Sequence, residues 1–117
     1  NNTADGGGGA GTGGVYVGIP TFKVCAVEAD ANVTILTNNF PVEQTFTMTM
    51  GPMFTRGING TVVGTLDSGD GANTEYTFSI PGVLAGADRI SIRAETAHSN
   101  PFYAFNWFWN NTADVCP

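Results

Sequence analysis

The sequence predicts an all-β chain: a two-sheet antiparallel sandwich, immunoglobulin-like in layout, with about seven strands and an additional N-terminal arm strand. Three observations carry this expectation. Apolar residues alternate with Thr, Ser and Glu at period two in segment after segment, the signature of strands with one buried and one wet face. Gly, Pro, Asn and Asp clusters interrupt the segments at short intervals, as sandwich hairpins require. No stretch holds a sustained 3.6-residue period. A jelly roll or small barrel is the competing arrangement.

Residues 1–14 contain Gly6-Gly7-Gly8-Gly9 and Gly13-Gly14 without apolar periodicity and read as a flexible arm. Val15, Val17 and Ile19 alternate with Tyr16 and Gly18, a short strand stopped by Pro20. The chain therefore divides into an arm with a candidate donated strand, 1–19, and a sandwich domain, 20–117. Within the domain, Thr21 to Val27 alternates with Phe22, Val24 and Ala26 on one face and Cys25 opposite, beside Lys23. Val33 and Ile35 alternate with Asn32 and Thr34, and Asn38-Asn39-Phe40-Pro41 turns the chain. Phe46, Met48 and Met50 alternate with three threonines. A loop bracketed by Gly51-Pro52 and Arg56-Gly57 leads into a strand from Ile58 to Leu66. Asp67-Ser68-Gly69-Asp70-Gly71 makes a hairpin-type turn. Tyr76, Phe78 and Ile80, then Ile90, Ile92 and Ala94, mark two further strands, with one short helical turn at Val83-Leu84-Ala85. Phe102 to Trp109 is the last strand.

Composition narrows the function classes. Ten acidic residues against four basic give a net charge of −6. Nucleic-acid binding depends on Lys and Arg neutralising phosphates, so a nucleic-acid partner is not expected. No apolar run reaches membrane-span length, and membrane insertion is not expected either. Charged residues are only 12% of the chain, about half the usual share, leaving a Thr/Asn/Ser/Gly surface typical of extracellular β domains. Cys25 and Cys116 are far apart and in no metal-ligand spacing. Such a pair suggests a disulfide formed outside the cell; the chain-entropy model gives a loop this long roughly 4–5 kcal/mol of stabilisation. An intrachain bond is the preferred expectation, and an interchain one the alternative.

Asn1-Asn2-Thr3-Ala4-Asp5 recurs as Asn110-Asn111-Thr112-Ala113-Asp114. An identical pentapeptide at both edges of one domain is what a unit from a head-to-tail series displays.

Thr37-Asn38-Asn39-Phe40-Pro41, the run from Met50-Gly51-Pro52-Met53 through Thr55-Arg56-Gly57-Ile58-Asn59-Gly60, and Tyr103-Ala104-Phe105-Asn106-Trp107-Phe108 resemble an uncharacterised immunoglobulin-like β-sandwich repeat of secreted, cell-surface bacterial proteins. The similarity runs from about Ile19 to Thr112. It implies a secreted or surface location and an arrangement often in tandem or beside wall-binding modules, but no activity, and the cysteine pair is atypical of it.

No constellation for catalysis or cofactors emerges. The one histidine, His98, has no nucleophile placed against it by any motif, and no Gly-x-Ser-x-Gly elbow is present. Glu28/Asp30 and Asp67/Asp70 are paired carboxylates at strand ends, where acids face water. The Asp67–Gly71 segment lacks the fuller spacing of a calcium loop, and one His with two distant Cys does not make a zinc site. The glycines of the arm precede a strand rather than opening a helix, so they are not a phosphate loop. The expectation is a non-enzyme without metal or cofactor. Asn-x-Thr sequons at Asn1, Asn32, Asn59 and Asn110 are candidate glycosylation positions, with Asn32 and Asn59 inside the sandwich proper.

The most informative segment is the last strand. It holds six of the thirteen aromatic residues. Alternation puts Tyr103, Phe105, Trp107 and Trp109 on one face and Phe102, Ala104, Asn106 and Phe108 on the other, so both faces are apolar where a sandwich strand needs only one. A large uncovered apolar face marks an interaction site. Together with Val15, Tyr16, Val17 and Ile19 as a strand to add to a neighbour's sheet, it points to a structural subunit of an extracellular filament or array whose partner is another copy of itself. The alternative is a carbohydrate-binding or adhesive module that stacks glycans on the tryptophans.

Overall fold

The computed structural model describes residues 4–5, 7–8, 18–99 and 101–114. Two two-residue segments, β1 (Ala4–Asp5) and β2 (Gly7–Gly8), pair in parallel ahead of the sandwich. Then follow β3 (Thr21–Glu28), β4 (Asn32–Asn38), β5 (Thr45–Pro52), β6 (Thr61–Asp67), β7 (Glu75–Ser79), a 3₁₀ turn (Gly82–Leu84), β8 (Arg89–Glu95), β9 (Tyr103–Trp109) and β10 (Ala113–Asp114).

Seven principal strands form two antiparallel sheets, ordered β10-β3-β4-β7 and β6-β5-β8-β9. The first, second and fifth of the seven share one sheet, and the third, fourth, sixth and seventh share the other. This is the A-B-E and C′-C-F-G connectivity of immunoglobulin-like sandwiches, with β10 added at the outer edge of β3. The alternating segments place their apolar residues between the sheets as expected. Phe46, Met48 and Met50 of β5, Ile90, Ile92 and Ala94 of β8, and Phe108 of β9 meet Phe22, Val33, Ile35 and Phe78 from the facing sheet. The threonines of β5 alternate with these core residues, as period two demands.

Three expectations need correction or qualification. Cys25 is fully buried rather than surface-facing. A β-bulge between Val24 and Ala26 inserts one residue into β3, so the alternation changes phase: Val24 pairs with Ile35 on the core side, and Ala26 pairs with the partly exposed Thr34. A single-residue insertion is enough to reverse which face a side chain occupies. The strand expected from Ile58 begins only at Thr61, because 53–60 folds into successive tight turns. Phe54, Arg56, Gly57 and Asn59 all have positive φ there, a conformation that cannot continue a strand. Of the expected arm strand, Val15, Tyr16 and Val17 lie outside the described residues, and Ile19 is 75% exposed.

Cys116 also lies outside the described residues. β10 pairs Ala113 with Val27 and Asp114 with Ala26, so the chain two positions before Cys116 runs beside the residue next to Cys25. No cysteine among the described residues is free.

Candidate interaction face

β9 ends its sheet and has one neighbour, β8, among the described strands. Its inward residues Ala104 and Phe108 are buried, while Tyr103, Phe105, Trp107 and Trp109 point outward with 41–53% of their surface exposed. The register sets Trp109 opposite Arg89, Trp107 opposite Ser91, Phe105 opposite Arg93 and Tyr103 opposite Glu95. An aromatic column thus stands beside a polar column containing two arginines.

Directly opposed side chains on one face are neighbours, and the arginines lie against the rings. The Arg93 guanidinium is 4.6 Å from the Tyr103 ring centre. That of Arg89 is 5.2 Å from Trp109 and 6.0 Å from Trp107. Cation–π contacts of this kind hold side chains in place on an exposed surface. Arg93 also makes a 2.8 Å ion pair with Glu95. Tyr103 and Phe105 are stacked, 8° from parallel with centres 6.4 Å apart, and Trp107 meets Trp109 edge-on.

The 53–60 loop supplies a third column. It folds back over the sheet: the Thr49 hydroxyl donates to the Gly57 carbonyl at 2.8 Å, and a Cβ on Gly57 would stand 2.6 Å from that of Arg93. Glycine is therefore required twice at Gly57, by its φ of +72° and by this approach. The loop brings Arg56 to 5.7 Å from the Phe105 ring and Phe54, 78% exposed, to 5.4 Å from Arg89. Left-handed φ values at bulky residues such as Phe54 carry strain that the surrounding contacts must offset, and such strain clusters at functional sites. A cavity of about 320 Å³ opens between Phe54, Arg56 and Trp107. All three arginines of an anionic chain converge on this face, where Glu95 is the acid in register with them.

A seam runs between β9 and the outer edge of β3. The Asn106 side-chain amide donates to the Phe22 carbonyl at 2.9 Å. A cavity of about 580 Å³ separates Ile19, Pro20 and Thr21 from Phe102, Tyr103 and Phe105. A second, about 230 Å³, lies between Val24–Val27 and Trp107–Trp109. The described start of the domain therefore meets the sandwich at the Phe102 end of β9, and its tail leaves at the Trp109 end.

At that tail end the second copy of the repeated pentapeptide is held by a dense set of bonds. Asn110 donates from its side chain to the Asp30 carboxylate at 2.7 Å and to the Ala87 carbonyl at 3.0 Å. Its own side-chain oxygen accepts from the Asp30 amide at 2.9 Å. The Thr112 hydroxyl accepts from the Ala29 amide at 3.2 Å. The Gly86 amide bonds to the Asp30 carboxylate, which with the Asn110 bond holds that carboxyl below its ordinary value of 3.8.

The remaining candidate residues serve local structure. Thr96 bonds His98 Nδ1 at 2.8 Å and receives the Phe102 amide, bracing the β8–β9 hairpin. The Asp67 carboxylate accepts from Thr45 and that of Asp70 from the Ala72 amide, both within the turn region. Asn32 donates to Glu28, Asn59 is exposed on a left-handed turn, and the Asn110 amide is engaged as described. Asn1 lies outside the described residues. Sequence reasoning found the aromatic column but not its partners. The phase of Ile90 and Ile92 already put Arg89 and Arg93 on the opposite face, whereas Phe54 and Arg56 reach the site through turns that alternation does not describe. Compared with protein-family models, curated proteins and solved structures, the chain finds no match.

Proposed function

We propose that this protein is a structural subunit of an extracellular filament or surface array, whose copies join head to tail through strand addition and the outer face of β9. One observation carries the reading: an edge strand holds four aromatic side chains outward, braced by arginines and, among the described residues, left 41–53% exposed. An edge strand paired on one side only is a template for another strand, and natural sheets usually blunt it. Here the edge coincides with the most aromatic surface of the molecule.

The polarity fits a chain of subunits. The described head and tail meet the sandwich at opposite ends of β9, so a contact joining one copy's arm to the next copy's edge is heterologous, and it builds a fibre where its rotation does not close. Val15, Tyr16, Val17 and Ile19 provide the alternating segment for β-augmentation. The Arg-bearing face suits a partner with the net charge of −6 that a second copy brings. The Cys25–Cys116 disulfide, formed within one chain, would fasten the tail to β3. The low charge content and the resemblance to surface repeats favour a secreted or cell-surface location.

A second reading rests on the stacked Tyr103 and Phe105 rings: a carbohydrate-binding or adhesive module with these residues and the tryptophans as the platform. Sedimentation velocity separates the two. The full chain is expected to polymerise without ligand and the chain lacking residues 1–19 to stay monomeric with an unchanged fold. A full chain that remains monomeric at every concentration and changes only with glycans supports the second reading.

A further inference from the structure

The repeated pentapeptide has a structural meaning that its spelling alone does not disclose. We infer that the head copy, Asn1–Asp5, is a docking segment for the slot that the tail copy fills, and that its acceptor is the turn between β3 and β4 of a second copy of this chain. The slot reads positions one and three of the pentapeptide by side chain. Asn110 makes three bonds to Asp30 and Ala87, and Thr112 receives the Ala29 amide. It reads positions four and five by backbone, since Ala113 and Asp114 pair with Val27 and Ala26. The backbone amide of position one also donates to the slot, to the Asp88 carbonyl at 2.9 Å, whereas that of position two bonds within the tail's own turn, to the Trp109 carbonyl.

Asn1, Thr3, Ala4 and Asp5 present the same groups in the same order. Asn serves at position one because a single amide both donates to a carboxylate and accepts from a backbone N–H. By these side chains the slot does not distinguish tail from head, although Ala4 and Asp5 must first leave their pairing with Gly7 and Gly8. What favours the tail is its tether, which gives it an effective concentration of roughly millimolar order. A neighbouring head competes once copies are crowded or held together, and exchanging one identical segment for another is the low-cost route of domain swapping. This deepens the head-to-tail reading, on which it rests for bringing copies together, by naming the segment and its acceptor.

The test uses a synthetic Asn-Asn-Thr-Ala-Asp peptide carrying a photoreactive group at its N-terminus, with full-length protein as target. The expected labels fall on 28–31 and 86–88, and are roughly tenfold stronger on a chain carrying Asn110→Ala and Thr112→Ala, whose tethered tail has lost its polar bonds. They weaken severalfold with Asp30→Ala, which removes the carboxylate but keeps the backbone partners at Ala29, Asp30 and Ala87. Scattered labelling, or labelling undiminished by Asp30→Ala, overturns the inference. In parallel, Asn1→Ala with Thr3→Ala is expected to reduce polymer formation while leaving the melting temperature unchanged. Normal polymers from that variant, with no slot labelling, refute the docking segment and leave the filament reading intact. Slot labelling with a wild-type chain that stays monomeric does the reverse.

Discussion

The two faces of β9 bear similar side chains in different circumstances. Inward, Phe108 is 4% exposed and closes the core against both sheets' aliphatic residues. Outward, two residues are tryptophans and two are smaller aromatics, none less than 41% exposed, each lying near a guanidinium. Burial explains the inward face completely. On the outward face 41–53% of each aromatic residue's surface remains in water, so the fold gains less from it. The difference separates the aromatic residue that closes the core from those that the proposed interface would use.

The sharpest way to break this comparison is truncation on both faces. Phe108→Ala is expected to cost about 3–5 kcal/mol in chemical denaturation, the usual range for a fully buried aromatic. Gly57→Val comes next, at about 1–3 kcal/mol, because a β-branched residue is forced into left-handed backbone against Arg93; circular dichroism melting would record it. Trp107→Ala and Trp109→Ala, tested singly, are expected to cost about 1 kcal/mol each in the monomer, since much of each ring already meets solvent. Both should weaken assembly. A loss at Trp107 as large as that at Phe108 would mean that the outer face is core after all.

These contrasts also show what could be read in the sequence. Strict alternation from Thr45 to Met50 and from Ile90 to Ala94 located the core strands, because those strands are regular. The same rule misplaced Cys25, since a bulge changes phase without leaving a compositional mark. It identified the outward aromatics of β9 but not the loop beside them: Phe54, Arg56 and Asn59 adopt left-handed backbone, where side-chain direction follows the turn rather than period two. The pentapeptide repeat was visible, but its tail copy's partners, Asp30 and Ala87, lie 80 and 23 residues away from Asn110.

The smallest expected effect is the pH response of the tail. Asp30 has a lowered pKa in the folded state, so its ionised form stabilises the tail contact above 3.8, and that contribution is lost as pH falls through the lower folded value. Amide exchange at Ala29 and Asp30 is expected to quicken in that acidic window in wild type. It should change little there in Asp30→Asn.

The central claim is that the outer face of β9 is covered by another copy. Trp107 and Trp109 are the only tryptophans in the chain, and both lie on that face, so selectively excited tryptophan emission reports on it alone. As protein concentration rises through the assembly transition, without added ligand, the emission should shift to the blue and acrylamide quenching should fall. Emission and quenching that stay constant while the protein assembles, or that change only when a glycan is added, would contradict the account.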